Sequence, residues 1–151
     1  MKRRRRSHDP LASAASVRAV LREVCERVPA VPLDERQAVS MLRAAIYAER
    51  RPAAPSGRGR KARWARRDLI AAVSALREIL RRGAYGNKDA RSFVEHYLRV
   101  LAFPADVAGA LERGEVNLFE AEQLARLTPR ALGAPAASAR SRRQALLRAH
   151  L

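Results

Sequence analysis

The sequence predicts an all-α protein, a multi-helix bundle that contains a helix-turn-helix-like module. Three observations predict this class. Good helix formers, above all alanine, leucine, arginine and glutamate, dominate the 151 residues. Apolar residues recur at spacings of three and four along several segments. Prolines and glycines cluster between those segments, and no segment shows the strict alternation of a strand.

Charge is the strongest global property of the chain. It has 31 lysines and arginines and 15 aspartates and glutamates, for a formal net charge of +16. Such an excess indicates a polyanionic partner, most often nucleic acid. No apolar run approaches the roughly 18 residues of a membrane-spanning helix. We therefore expect a cytoplasmic, nucleoid-associated protein without a membrane partner or a small-molecule substrate.

Five segments are predicted along the chain. They are a basic disordered tail (1–8), an N-terminal helical pair (9–51), a basic flexible linker (52–65), a helix-turn-helix domain (66–132) and a C-terminal basic helix (133–151). Two amphipathic stripes predict the helical pair, one from about Pro10 to Val28 and one ending near Arg50. The linker is predicted from prolines, glycines and basic residues that lack periodicity.

The central stretch carries most of the predicted fold. A helix ending near Arg82 leads through a glycine-rich turn into one amphipathic helix, whose apolar stripe is Ala90, Phe93, Val94, Tyr97, Leu98 and Leu101. Pro104 ends this helix and opens the next, because proline suits a first helical turn. Gly114 supplies a left-handed cap, and Asn117 with Glu120 resembles a capping box.

The polar face of that amphipathic helix is the predicted DNA-reading surface. In a helix-turn-helix the second helix enters the major groove. Removing the apolar stripe leaves Lys88, Arg91, Ser92, Glu95, His96 and Arg99 as candidate DNA-binding residues. Arg91 suits guanine, Ser92 suits a base edge or a phosphate, and Glu95 suits the amino group of cytosine. Lys88 and Arg99 suit phosphates. The alternative for each is an ordinary solvated helix residue.

Basic residues outside the helices are further candidates for phosphate contacts. They are Arg3 and Arg4 in the tail, and Arg58, Arg60, Lys61 and Arg63 in the linker. The segment 57–61 is similar to peptides that insert arginines into narrow minor grooves. The alternative is a solvated linker that touches phosphates only. Trp64 is expected to pack at the edge of the core rather than to stack on a base.

A family resemblance supports the same interpretation. Residues 94–104, VEHYLRVLAFP, resemble the helix-turn-helix segment of ParB-type partition proteins, with matches at Val94, Leu98, Arg99, Val100, Leu101, Phe103 and Pro104. The similarity continues through Val107, Leu111, Gly114, Ala121 and Leu124, and covers about residues 90–127. It implies a DNA-binding helical domain. It does not imply CTP binding, because the family's GERR-like arginine motif is not present in this sequence.

The sequence shows no pattern typical of an enzyme. It lacks a glycine-rich phosphate loop, paired histidines at metal-ligand spacing and a cysteine cluster. We therefore expect a non-enzymatic binding protein of double-stranded DNA without a cofactor, acting in partition, nucleoid organisation or transcription regulation. The alternatives are RNA or ribosome association, and a protein-interaction adaptor. A homodimer is also considered, because DNA readers of this kind often pair on two half-sites.

Overall fold

The protein is all-helical. The structure is a computed structural model that describes residues 9–50 and 63–150. Its α-helices are α1 (Ala14–Arg27), α2 (Glu35–Arg50), α3 (Arg66–Leu80), α4 (Ala90–Glu95), α5 (Ala105–Glu112), α6 (Leu118–Ala125), α7 (Pro129–Leu132) and α8 (Ala136–His150). Short 3₁₀ turns cover Gly83–Tyr85 and Tyr97–Ala102. Within the described ranges, no helix combines the length and the apolar character needed to cross a bilayer.

The first hydrophobic core joins α1, α2, α3 and α4. Helix α3 is the centre of this bundle, since it packs against α1, α2 and α4. Its residues Leu76, Ile79 and Leu80 are fully buried, as are Met41 of α2 and Phe93 of α4. The predicted boundary between residues 9–51 and 66–132 therefore runs through one shared core, because α1 and α2 bury their apolar faces on α3 instead of on each other alone.

A second, smaller core lies under the C-terminal helices. Val107 of α5, Ala121 of α6 and Leu147 of α8 are buried in it together with Val100. Leu118 packs against both cores, so the two are continuous at the start of α6.

Local signals set most helix ends as predicted. Helix α5 begins directly after Pro104, Gly114 adopts a left-handed φ of 69°, and the side chain of Asn117 forms a capping box with Glu120. The start of α1 differs from the prediction. Ser13 caps it by accepting a hydrogen bond from the backbone N–H of Ser16, so the helix begins four residues later than expected.

The predicted single helix from Ala90 to Leu101 is wrong. Helix α4 ends at Glu95, and the chain continues from Tyr97 as a 3₁₀ turn. The predicted stripe is nevertheless buried up to Leu98. The tighter 3₁₀ repeat aligns side chains three residues apart. Within this turn Tyr97 and Leu98 pack in the first core and Val100 packs in the second, so the turn connects the two cores.

A buried ion pair anchors α8 to α5. The guanidinium of Arg143 donates two hydrogen bonds to the carboxylate of Asp106, at 3.0 and 3.1 Å, and a third to the carbonyl of Leu127 at 2.7 Å. The two side chains are only 7% and 11% exposed. Burial alone would raise the pKa of Asp106, but the hydrogen bonds and positive charge of Arg143 outweigh it and lower the pKa of Asp106. The predicted C-terminal helix is present, and it buries Leu147 whereas Leu146 is 49% exposed.

This lowered pKa predicts a pH dependence of stability. A depressed carboxyl pKa stabilises the fold at pH values above the unfolded pKa, about 4 for aspartate, and this stabilisation is lost as pH falls through the folded pKa. We expect Asp106→Asn to reduce the free energy of unfolding most at neutral pH, with the difference from the native protein shrinking below about pH 4. Urea denaturation at several pH values measures it. A difference that stays constant down to pH 2 to 3 would contradict the assignment.

Candidate nucleic-acid interface

The predicted reading face of α4 is engaged in ion pairs within the protein. Glu95 accepts hydrogen bonds from Arg91 at 3.1 Å and from Arg50 of α2 at 2.7 Å. His96 lies 3.2 Å from Glu122, between its Nδ1 and a carboxylate oxygen. Glu95 therefore neutralises two arginines and is not presented alone to a ligand.

The remaining residues of that face divide between structural and exposed positions. Lys88 pairs with Asp9 at 3.7 Å and lies over the ring of Tyr97. Ser92 is half-buried, and its backbone N–H is bound by the helix-capping carboxylate of Asp89. Arg99 is exposed on the 3₁₀ turn. The structure thus brings Arg91, Glu95 and Arg99 to one side of the bundle, whereas Lys88 is paired with Asp9, which lies ahead of α1.

A groove of about 250 Å³ lies where α2 meets α4 and the following 3₁₀ turn. Its lining residues are Arg43, Ile46, Tyr47, Arg50, Val94, Glu95 and Arg99. Arg91 adjoins the groove through its bond to Glu95. We call this surface, with Arg91, the α2–α4 groove. Its four arginines are all exposed and surround one carboxylate, so the net local charge is strongly positive.

Sequence reasoning missed the contribution of α2 to this surface. Arg36, Arg43 and Arg50 are spaced by seven residues, and all three are exposed. Seven residues are close to two helical turns, so these side chains follow one face of α2. This seven-residue spacing is visible in the sequence, but the apolar stripe of α2 by itself predicts only a face that packs in the core. Only packing places Arg43 and Arg50 of that row beside α4.

The ion pairs of the groove do not block a ligand. Arg50, Arg91 and Glu95 keep 44%, 58% and 37% of their side-chain surface exposed. Exposed ion pairs contribute only about 0 to 1 kcal/mol each. A phosphate can therefore replace the carboxylate at little cost, and the arginines can exchange one anionic partner for another.

Several predicted site residues lie outside the described ranges. These are Arg3, Arg4, Arg58, Arg60 and Lys61. Arg63 is described: its guanidinium lies over the ring of Trp64, 4.5 Å from the ring centroid. Trp64 is half-buried and packs against the first core, which confirms the expectation that it lies at the core edge.

Charge is segregated along the chain. All 15 acidic residues fall between Asp9 and Glu122. In the described part of that stretch, 9–50 and 63–122, there are 16 basic residues, so this part of the chain is nearly neutral. The other 15 basic residues fall in 1–8, 51–62 and 123–151, which contain no acid at all. The positive excess therefore falls in these three stretches of the sequence, and residues 51–62 directly follow α2 in the chain.

A groove of about 500 Å³ lies between the start of α1 and the α5–α6 turn, lined among others by Ser13, Glu112, Asn117 and the exposed Phe119. No group of three histidine, cysteine or acidic side chains within the described residues could hold a metal ion. The thiol of Cys25 is half-buried, and burial raises its pKa, which disfavours the reactive thiolate.

Comparison with known proteins found no match. Neither family models, nor curated proteins, nor solved structures match the chain.

Proposed function

We propose that the protein is a non-enzymatic binding protein of double-stranded DNA that contacts the phosphate backbone through the α2–α4 groove. The observation that carries the proposal is the set of four exposed arginines around one carboxylate in that groove. Guanidinium groups bind phosphate through several directed hydrogen bonds. The acid-free residues 51–62, which include Arg58, Arg60 and Lys61, directly follow α2 in the sequence and are proposed to add further phosphate contacts.

Duplex DNA is favoured over unpaired RNA by the scarcity of aromatic surface. Proteins that recognise single-stranded nucleic acid stack bases on aromatic side chains. Among the described residues the largely exposed aromatics are Tyr47 and Phe119, and only Tyr47 lies in the groove. A groove with four arginines and a single exposed aromatic ring suits a regular phosphate backbone better than a row of unpaired bases.

The binding is proposed to tolerate many sequences. Phosphate contacts position a protein without reading bases. Helix α4 is six residues long, about 9 Å at 1.5 Å per residue. Its Arg91 is paired with its own Glu95. In this proposal α3, the glycine-rich turn and α4 form a reduced helix-turn-helix, with Arg91 and Ser92 nearest to the bases. The resemblance of residues 90–127 to ParB-type proteins supports the same class of ligand and a role in partition, nucleoid organisation or transcription regulation.

A salt titration of DNA binding tests the proposal. We expect the affinity of the full chain for a labelled duplex, followed by fluorescence anisotropy, to fall steeply as salt rises, because phosphate contacts release counterions. The double variant Arg43→Gln, Arg99→Gln is expected to bind about tenfold more weakly and to lower the slope of log affinity against log salt by about 2.

The matched control removes the same charge elsewhere. Arg22→Gln, Arg81→Gln changes two exposed arginines on α1 and after α3, and its affinity should stay close to the native value. Equal losses in both variants would exclude the groove as the interface. A native salt slope near zero would exclude DNA binding, and stronger competition by structured RNA than by duplex DNA would favour an RNA partner.

A further inference from the structure

Helix α8 is the most basic described element outside the groove. It carries four arginines, and no acidic residue occurs anywhere in 123–151. Ala139, Arg143 and Leu147, spaced by four residues, are its buried face. Its other arginines, Arg140, Arg142 and Arg148, are exposed. The helix thus separates one arginine that holds the fold from three that face solvent.

The ion pair of Arg143 fixes the orientation of the exposed arginines. Two hydrogen bonds to Asp106 and one to the carbonyl of Leu127 prevent α8 from turning about its axis without breaking a buried contact. A basic segment held in this way loses less conformational entropy on binding than a flexible one. The buried pair of Arg143 and Asp106 therefore preorganises α8 for binding.

The exposed face of α8 is shaped for close approach to a backbone. Small exposed residues lie beside its arginines, among them Ala137, Ser138, Ser141, Ala145 and Ala149. Short side chains occupy little space around the arginines, so a phosphate backbone can approach them closely. Two more exposed arginines, Arg126 after α6 and Arg130 in α7, precede it in the same acid-free stretch.

We propose that α8 is a second DNA-contacting surface, whose exposed Arg140 and Arg148, about two turns apart on the same side of the helix, bind duplex phosphates while Arg143 holds the helix in position. This inference rests on the proposed function and extends it to a second site. Residues 123–151 contain no phenylalanine, tyrosine or tryptophan, so the surface offers no platform for unpaired bases. Leu146 is its one large exposed apolar side chain, whereas helices that lie on membranes need a broad apolar face.

The test compares three double variants of the full chain, each lacking two arginines. Arg140→Gln, Arg148→Gln in α8 is expected to weaken duplex binding about tenfold and to reduce the salt slope by about 2. The control Arg22→Gln, Arg81→Gln should bind nearly as the native protein does. A variant that combines these substitutions with the groove substitutions Arg43→Gln, Arg99→Gln should lose affinity by the product of the two separate factors, because the two surfaces contact separate phosphates.

The outcomes separate this inference from the proposed function. If the native chain binds duplex with a steep salt slope but the α8 variant matches the control, the second surface is excluded and the groove proposal stands. If the native chain does not bind duplex, both fail. An α8 variant that keeps duplex binding but loses binding to anionic vesicles or structured RNA also overturns the proposal that α8 contacts DNA. Unchanged thermal midpoints by circular dichroism exclude unfolding as the cause.

Discussion

Arg143→Met is expected to lower the free energy of unfolding by about 3 to 5 kcal/mol, because it leaves the carboxylate of Asp106 buried without its counter-charge. Methionine retains most of the apolar stem of arginine, so lost packing contributes little. The carbonyl of Leu127 also loses its hydrogen-bond donor. Urea denaturation, with an unchanged dependence of the free energy on denaturant, measures the loss. It is a large fraction of the roughly 5 to 15 kcal/mol that stabilises a typical domain.

The neighbouring arginine is the matched control. Arg142→Met makes the same chemical change one residue away at an exposed position, and should alter stability by less than about 0.5 kcal/mol. The double variant Asp106→Leu, Arg143→Met should be more stable than Arg143→Met alone, since neither charge is then left buried and unpaired. Equal stability of the Arg142 and Arg143 variants would show that the pair does not hold α8.

Phe93→Ala is expected to destabilise the protein by about 3 to 5 kcal/mol, the usual cost of removing a fully buried phenylalanine. The ring is inaccessible to solvent, and it stacks on Tyr97 with centroids 6.2 Å apart. Six residues are too few for a helix that stands alone, so α4 depends on this anchor. We therefore expect weaker duplex binding as well, because Glu95 and Arg91 lose their fixed positions. Chemical denaturation and the salt titration measure the two effects.

Phe119 provides the comparison. Its ring is 68% exposed on α6, so Phe119→Ala should change stability by less than about 0.5 kcal/mol and should leave duplex binding intact. A Phe93 variant that is destabilised yet binds duplex with native affinity would separate α4 from the interface. A Phe93 variant as stable as the Phe119 variant would contradict the core assignment.

Local sequence signals predicted the helix ends well because those signals act over a few residues. Asn117 and Glu120 satisfy each other's backbone donors within one turn, and Gly114 reaches a left-handed conformation that other residues avoid. The break at His96 had no such signal, since the stripe from Ala90 to Leu101 is compatible with a continuous helix. After the break Leu98 packs in the first core and Val100 in the second, so the contacts that accompany it join residues far apart in sequence.

The candidate site shows the same division. The sequence predicted Arg91 and Arg99 as ligand-binding residues. It also predicted that Glu95 faces a base, whereas Glu95 accepts a hydrogen bond from Arg50 across the groove. It likewise could not distinguish Arg142 from Arg143, which are adjacent and identical in type. One is exposed, and the other is buried against Asp106, 37 residues earlier in the chain.

The sequence by itself determined that the protein is all-helical, where most helices begin and end, and that its positive charge far exceeds its negative charge. These properties depend on composition and on neighbours within one or two turns. Tertiary structure alone decided which arginines stay available to a ligand and which are used to hold the fold. That choice depends on which side chains meet after the chain has folded, because burial and ion pairing join residues that are far apart in sequence.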